Sequence, residues 1–137
     1  MNIRNRKKKE SFTRVSISEI FTDSLSIRAI VAQDTSRVWF AANRGVVGLV
    51  DGNTPKLATV TYDNKLLHFR AIAKTQDAVF VLSIDTPAVL YKIDVKDNEA
   101  YNMQEVYLET GKGVFYDAIS FWNNQEGIAM GDPIGGC

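Results

Sequence analysis

A chain of 137 residues, 45% hydrophobic and 23% charged, has the composition of one soluble globular domain. Lys plus Arg equals Asp plus Glu at 16 each, so the chain as a whole offers no basic footprint for nucleic acid. The single cysteine, Cys137, excludes an intrachain disulfide and a cysteine-cluster metal site.

The chain opens with "RNRKKK", Arg4 to Lys9, where five of six residues are basic. Such a run reads as a solvated, poorly ordered tail over residues 1–13. A binding arm for an anionic surface and the n-region of a signal peptide are the other readings of the same charges. The next stretch, "ESFTRVSISEIF", is too polar for the apolar region of a signal peptide. No apolar run reaches membrane-spanning length, so no transmembrane segment is expected. Within that stretch, "RVSISEI" alternates Val15, Ile17 and Glu19 against Ser16, Ser18 and Ile20, which predicts one extra strand.

A repeat follows. "LSIRAIVAQDTSRVWFAAN" begins at Leu25, "LHFRAIAKTQDAVFVLS" at Leu67 and "VFYDAISFWNNQEGIAMGDP" at Val114. Aligned, they place Arg28, Arg70 and Asp117 in one column, followed by Ala29, Ala71, Ala118 and by Ile30, Ile72, Ile119. A period of 42 to 47 residues suits propeller blades or helical arrays. Local pattern decides between them. "VWFAA", "VVGLV", "AVFVLS" and "AVLYKIDV" are short, β-branched and aromatic, and turn signals bound them. No segment holds a helical period beyond about two turns.

The predicted fold is therefore all-β, a partial β-propeller of about two and a half four-stranded antiparallel blades plus the N-terminal strand, spanning residues 14–137. Blade 1 (25–62) takes strands A to D at 27–33, 37–42, 46–51 and 57–62. Blade 2 (67–109) takes them at 69–75, 78–83, 88–95 and 103–108. Blade 3 (114–137) holds A at 115–121 and B at 126–131. Closed propellers need roughly four to eight blades, so this count predicts a truncated propeller whose open edges invite self-association. Val38, Phe40, Val79, Val81, Ile128 and Met130 are expected between sheets.

A meander brings the start of strand A and the B–C turn to the same end of each blade. Arg28, Arg70 and Asp117 open the A strands, while Arg44, Asp85 and Asp132 sit in the B–C turns "NRG", "DTP" and "GDP". All six should gather on one face near the propeller axis. Two roles suit them: pairing between blades, or a polar face that binds a ligand or partner. His68 has no Ser or Cys partner at catalytic spacing and reads as a surface or turn histidine. Trp39, Trp122, Tyr116 and Phe121 read as packing residues, and Pro87 and Pro133 as turn residues. "GVVG" at Gly45 and "GDPIGG" at Gly131 lack the Gly-x-Gly-x-x-Gly spacing of a dinucleotide site, so no cofactor is expected. One carboxylate per loop is too few for calcium, and no metal is expected.

The segments "FRAI", "SIDTPAVLYKID" and "VFYDAISFWNNQEGIAMGDPIGG" also resemble the bacterial β-propellers related to photosystem II stability and assembly factors, which carry neuraminidase-type (Asp-box) repeats. The nearest likeness is to Bacteroidetes members filed under the name "oxidoreductase". It runs from about Ser16 to the C-terminus, and "DAISFWNNQEGIAMGDPI" is its most specific part. The resemblance implies a closed propeller of about six or seven blades and export to the periplasm or beyond, although no signal peptide is legible. Family blades carry Ser-x-Asp-x-Gly-x-x-x-Trp in the C–D hairpin. Here the first hairpin keeps only Asp51-Gly52 in "VDGNTPK", and the second, "IDVKDNEA", lacks the pattern.

The expected function is a non-enzymatic scaffold that binds a protein or a glycan-like ligand on the Arg/Asp face. The alternative is a sialidase-type hydrolase, in which Arg28, Arg44 and Arg70 would hold a substrate carboxylate. That chemistry also needs a nucleophile pair and an acid, and the alignment brings no Tyr and Glu together on this face. A third possibility is no independent function, because the propeller is incomplete.

Overall fold

The computed structural model describes residues 25–84, 87–96, 103–111 and 115–132. The tail at 1–13, the strand expected around 15–20, Asp85, Pro133 and Cys137 lie outside the described residues.

The first sheet contains β1 (Ile27–Ala32), β2 (Arg37–Ala42), β3 (Val46–Asp51) and β4 (Thr54–Thr59), antiparallel and in that order. A small hairpin follows, β5 (Thr61–Tyr62) and β6 (Lys65–Leu66). The second sheet repeats the meander with β7 (His68–Lys74), β8 (Ala78–Ile84), β9 (Ala88–Asp94) and β10 (Met103–Glu109). The third pairs β11 (Tyr116–Phe121) with β12 (Gly127–Gly131). No helix occurs among the described residues. The chain is all-β, a partial β-propeller, as the repeat predicts.

One strand differs from its predicted position. Strand D of blade 1 runs over Thr54–Thr59, not 57–62. Asp51-Gly52 is the cause. Gly52 takes φ +64°, and the β3–β4 hairpin closes at Asp51 opposite Thr54, so pairing starts three residues early. Thr61 and Tyr62 then enter their own hairpin, whose turn residues Asp63 and Asn64 both have positive φ. Pro55 is tolerated because β4 is an edge strand.

Successive sheets adjoin through their A strands: β7 packs against β1, and β11 against β7. Between the first two sheets lies the main core. Trp39, Ala41, Val47, Leu49 and Ala58 of sheet 1 meet Phe69, Val79, Val81, Val89, Tyr91 and Ile93 of sheet 2. Along β7 buried residues alternate with half-buried ones, a period-2 pattern in which one face is covered more fully than the other. In β8, by contrast, Ala78–Ser83 are all buried, because this strand lies between two sheets. Its second face carries Phe80, whose ring stacks on Phe121 of sheet 3 at 4.2 Å between centroids.

Val79 and Val81 lie in the core between the first two sheets as expected, and Val38 is half-buried; Phe40 is buried too, but on the face of β2 opposite Trp39 and Ala41, the residues that meet sheet 2. The expectation fails for Ile128 and Met130, which are 50% and 64% exposed. Their partners in register, Ser120 and Ala118, show which face they share. It is the face opposite Ile119 and Phe121, directed away from sheet 2. Trp122, expected to pack, is also exposed, at 65%. Apolar character at these positions marks a strand face; burial depends on what lies against it.

Candidate functional site

In all three sheets the A strand carries a β-bulge at the same place. The register of β1 on β2 passes from Ile27↔Ala42 to Ala29↔Ala41, skipping Arg28. That of β7 on β8 passes from Phe69↔Ser83 to Ala71↔Leu82, skipping Arg70. That of β11 on β12 passes from Tyr116↔Gly131 to Ala118↔Met130, skipping Asp117. The column of charges found in sequence is thus the column of bulged residues. A bulge leaves one residue outside the ladder and re-aims its side chain, which is how a charged residue is accommodated in an otherwise apolar inner strand.

Hydrogen bonds fasten the B–C turns to this edge. Asn43 N–H donates to Ser26 O at 3.0 Å, and Ser26 N–H donates to Asn43 Oδ1 at 3.0 Å. Arg44 sits in that turn with φ +56°, and its N–H donates to His68 Nδ1 at 3.3 Å, joining the turn of sheet 1 to the first residue of β7. Asp132 N–H donates to Phe115 O at 3.0 Å at the same end of sheet 3. Arg28, Arg44, Arg70, Asp117 and Asp132 therefore share one edge of the stack. Asp85 lies outside the described residues; among those described, the buried Ser83 hydroxyl at the end of β8 accepts from Val89 N–H of β9 at 2.8 Å.

The structure also shows inter-blade pairing. Arg70 Nη2 lies 3.3 Å from Asp117 Oδ1, bridging sheets 2 and 3, with both side chains 35% exposed. That oxygen is shielded from solvent and has no hydrogen-bond partner among the described residues, so the guanidinium charge is what compensates it. Among the described residues Arg28 makes a long bond, Nη1 to Ser26 Oγ at 3.4 Å. Partial exposure screens the Arg70–Asp117 pair, so a double-mutant cycle with Arg70→Ala and Asp117→Ala should return a coupling of about 0.5–1 kcal/mol in urea unfolding. A coupling above about 2 kcal/mol would mean the pair is far drier than its exposure indicates.

Sequence reasoning missed the opposite end, at the A–B turns. Asp34 accepts from Ser36 N–H and Arg37 N–H, each at 2.9 Å, and from Arg37 Nε at 2.8 Å. Asn123 does the same in sheet 3, accepting from Gln125 N–H at 2.7 Å and Glu126 N–H at 2.8 Å. Its neighbour Asn124 clamps two sheets: Oδ1 accepts from Gln76 N–H at 2.9 Å, and Nδ2 donates to Asp77 Oδ2 at 3.1 Å. "QDTSR" and "WNNQE" are Asx-turn signatures that were available in the sequence.

The hydrogen bond from Arg37, followed by that from Ser36, holds the Asp34 carboxyl far below the ordinary carboxylate value of 3.8. A depressed folded value stabilises the fold above the unfolded value and is lost as pH falls from about 3.8 toward the folded value. Carboxyl carbon shifts should therefore show Asp34 still ionised at about pH 3, where ordinary Asp side chains are mostly protonated. Arg37→Ala should return its titration toward the ordinary range, and an unmoved titration would show that the guanidinium is not the cause.

The fold and the bulged edge define a class, an all-β propeller segment with no helix among the described residues. No family model matches the sequence, and no curated protein matches it. Among solved structures the chain is similar to one described as "Structure of U3-55K", a β-propeller-type protein, with a TM-score of 0.50 and 16% identity over 77% of this chain. The match covers 32% of the U3-55K chain, so this chain spans about a third of it. At that identity the likeness concerns the fold alone.

Proposed function

We propose that this chain is part of a non-enzymatic propeller scaffold that binds a protein or glycan-like ligand at the bulged edge. The observation that carries the reading is the repeated bulge at Arg28, Arg70 and Asp117. Three sheets each bend an inner strand to present a charged residue at one end, and Asn43 after β2 and Asp132 after β12 are tied to that end. Rigid strands that hold polar groups at a common edge are the usual platform for recognition. Arg70 and Asp117 set the spacing of the edge by pairing with each other. Arg28 supplies a cationic contact, which selects ligands with carboxylate or other anionic groups. Kinship with the photosystem II factor-like propellers belongs to the same proposal and rests on the "DAISFWNNQEGIAMGDPI" segment.

A glycan array with sialylated, uronic-acid and neutral oligosaccharides, run beside an array of acidic peptides, tests this reading. Binding should favour acidic members, fall at least tenfold in Arg28→Glu, and persist in Lys92→Glu, a change in the middle of β9 away from the edge. Equal binding by both variants would remove the edge from the account. A fluorogenic sialoside should not be turned over; turnover abolished by Arg28→Glu would replace the scaffold reading with hydrolysis.

A further inference from the structure

His68 stands where the first two sheets meet. It is the first residue of β7 and is exposed, while its chain neighbours Leu67 and Phe69 are buried and hold the strand in the core. Ile84 of β8 is its partner in register. The ring is therefore carried on a fixed backbone and open to protons from solvent. Its Nδ1 accepts from Arg44 N–H at 3.3 Å, across 24 residues of chain. A backbone N–H can only donate, so Nδ1 carries no proton and the imidazole is neutral in this arrangement.

The turn on the other side of this bond is strained. Arg44 has φ +56°, in the left-handed region that residues with a Cβ enter at a cost. Its neighbours bond within sheet 1 and its exit: Asn43 N–H to Ser26 O at 3.0 Å, Val46 N–H to Asn43 O at 3.2 Å and Val60 N–H to Gly45 O at 2.8 Å. The bond from Arg44 N–H runs the other way, from sheet 1 to sheet 2.

We propose that His68 is a pH-operated latch between the first two sheets, closed when its imidazole is neutral and open when it is protonated. Imidazole is the side chain whose charge ordinarily changes between about pH 5 and 8. On protonation Nδ1 gains a hydrogen and becomes a donor. Two N–H groups then face each other, and the bond is lost. The charged groups on the elements about His68 are Arg44 on the turn, Arg28 on β1, Arg70 on β7 itself, Asp117 on β11, and Asp63 and Lys65 in the hairpin that leads into β7. Ile84, opposite on β8, is uncharged. Asp117 is engaged by Arg70, and the described ion pairs, Arg37–Asp34 and Arg70–Asp117, do not include His68. A new positive charge beside the Arg44 turn adds repulsion to the loss of the bond. Opening releases the turn from sheet 2, while Asn43 keeps it on sheet 1. The latch belongs to the junction of the two sheets and does not rest on the ligand proposed for the bulged edge.

His68 is the only histidine in the chain, so an imidazole titration reports it alone. Heteronuclear NMR of the isotope-labelled chain, from about pH 8 to pH 5, follows the His68 ring and the Arg44 and Asn43 amides together. The Arg44 amide should shift with the same midpoint as the ring, and its protection from exchange should fall at least tenfold. Asn43 N–H, bonded to Ser26 O, should keep its protection. His68→Gln, which retains an acceptor but does not titrate, should abolish the step at Arg44. An Arg44 amide that stays still while the ring titrates overturns the inference. So does a ring that stays neutral down to about pH 5, or a step that survives in His68→Gln. Parallel loss of protection at Asn43 also overturns it, because the fold would then be opening as a whole. Should His68→Gln fail to fold, the unaltered chain decides the matter through the same two amides.

Discussion

Trp39→Ala is expected to destabilise the chain by about 3–5 kcal/mol, the usual loss for truncating a large buried aromatic. Trp39 is fully buried between the first two sheets, and its indole N–H donates to Gln33 Oε1 at 2.7 Å. Truncation leaves a cavity and also removes that hydrogen bond. Whole-domain stability is on the order of 5–15 kcal/mol, so this change alone removes a large share of it. Phe80→Ala should fall toward the lower end of the same range. Phe80 is 6% exposed and stacks on Phe121 of a sheet that has only two described strands. Urea unfolding monitored by circular dichroism measures both. A loss below about 0.5 kcal/mol at both positions would show that the two strand faces are assigned wrongly.

The second large effect is at a turn. Gly45 has φ +74°, and a Cβ placed there would collide with the backbone carbonyl of Val60. Gly52 has φ +64° with nothing within 4 Å of the added carbon. Gly52→Ala therefore carries only the cost of left-handed alanine, about 1–2 kcal/mol. Gly45→Ala adds overpacking against backbone that cannot rotate away, typically about 1–3 kcal/mol more. The difference has structural consequences, because Gly45 O also accepts from Val60 N–H at 2.8 Å and fixes where the chain leaves sheet 1. Thermal unfolding of the two variants should rank Gly45→Ala clearly below Gly52→Ala. Equal midpoints would mean that the turn carrying Arg44 relaxes freely and is not a rigid part of the binding edge.

Strand language is local, which is why most strand positions were legible. β-branched runs bounded by Gly, Asp and Asn place β1–β3 and β7–β12 to within a residue or two of their observed ends. Arg-Ala-Ile, written twice and then varied to Asp-Ala-Ile, located the edge. That those residues are bulges was not legible, because a bulge is a property of pairing register and leaves no required residue type. Strand D of blade 1 was misplaced because Thr61 and Tyr62 have strong β propensity, which outweighed the turn signal of Asp51-Gly52. Ile128 and Met130 were assigned to the core because apolarity marks a face and cannot say whether a neighbour covers it. The Asn124 clamp was out of reach for another reason. Its partners lie 47 and 48 residues earlier, and no local pattern announces such a contact.

The central claim is that three successive sheets bulge at equivalent residues and so bring their charges to one edge. Cross-strand nuclear Overhauser effects in the isotope-labelled chain test it most directly. The account predicts Hα and amide contacts for Ala29 with Ala41, Ala71 with Leu82 and Ala118 with Met130. It also predicts that the register skips Arg28, Arg70 and Asp117, and that contacts join the Phe80 and Phe121 rings. Unbroken pairing through those three residues, or no contact between the two rings, would contradict it.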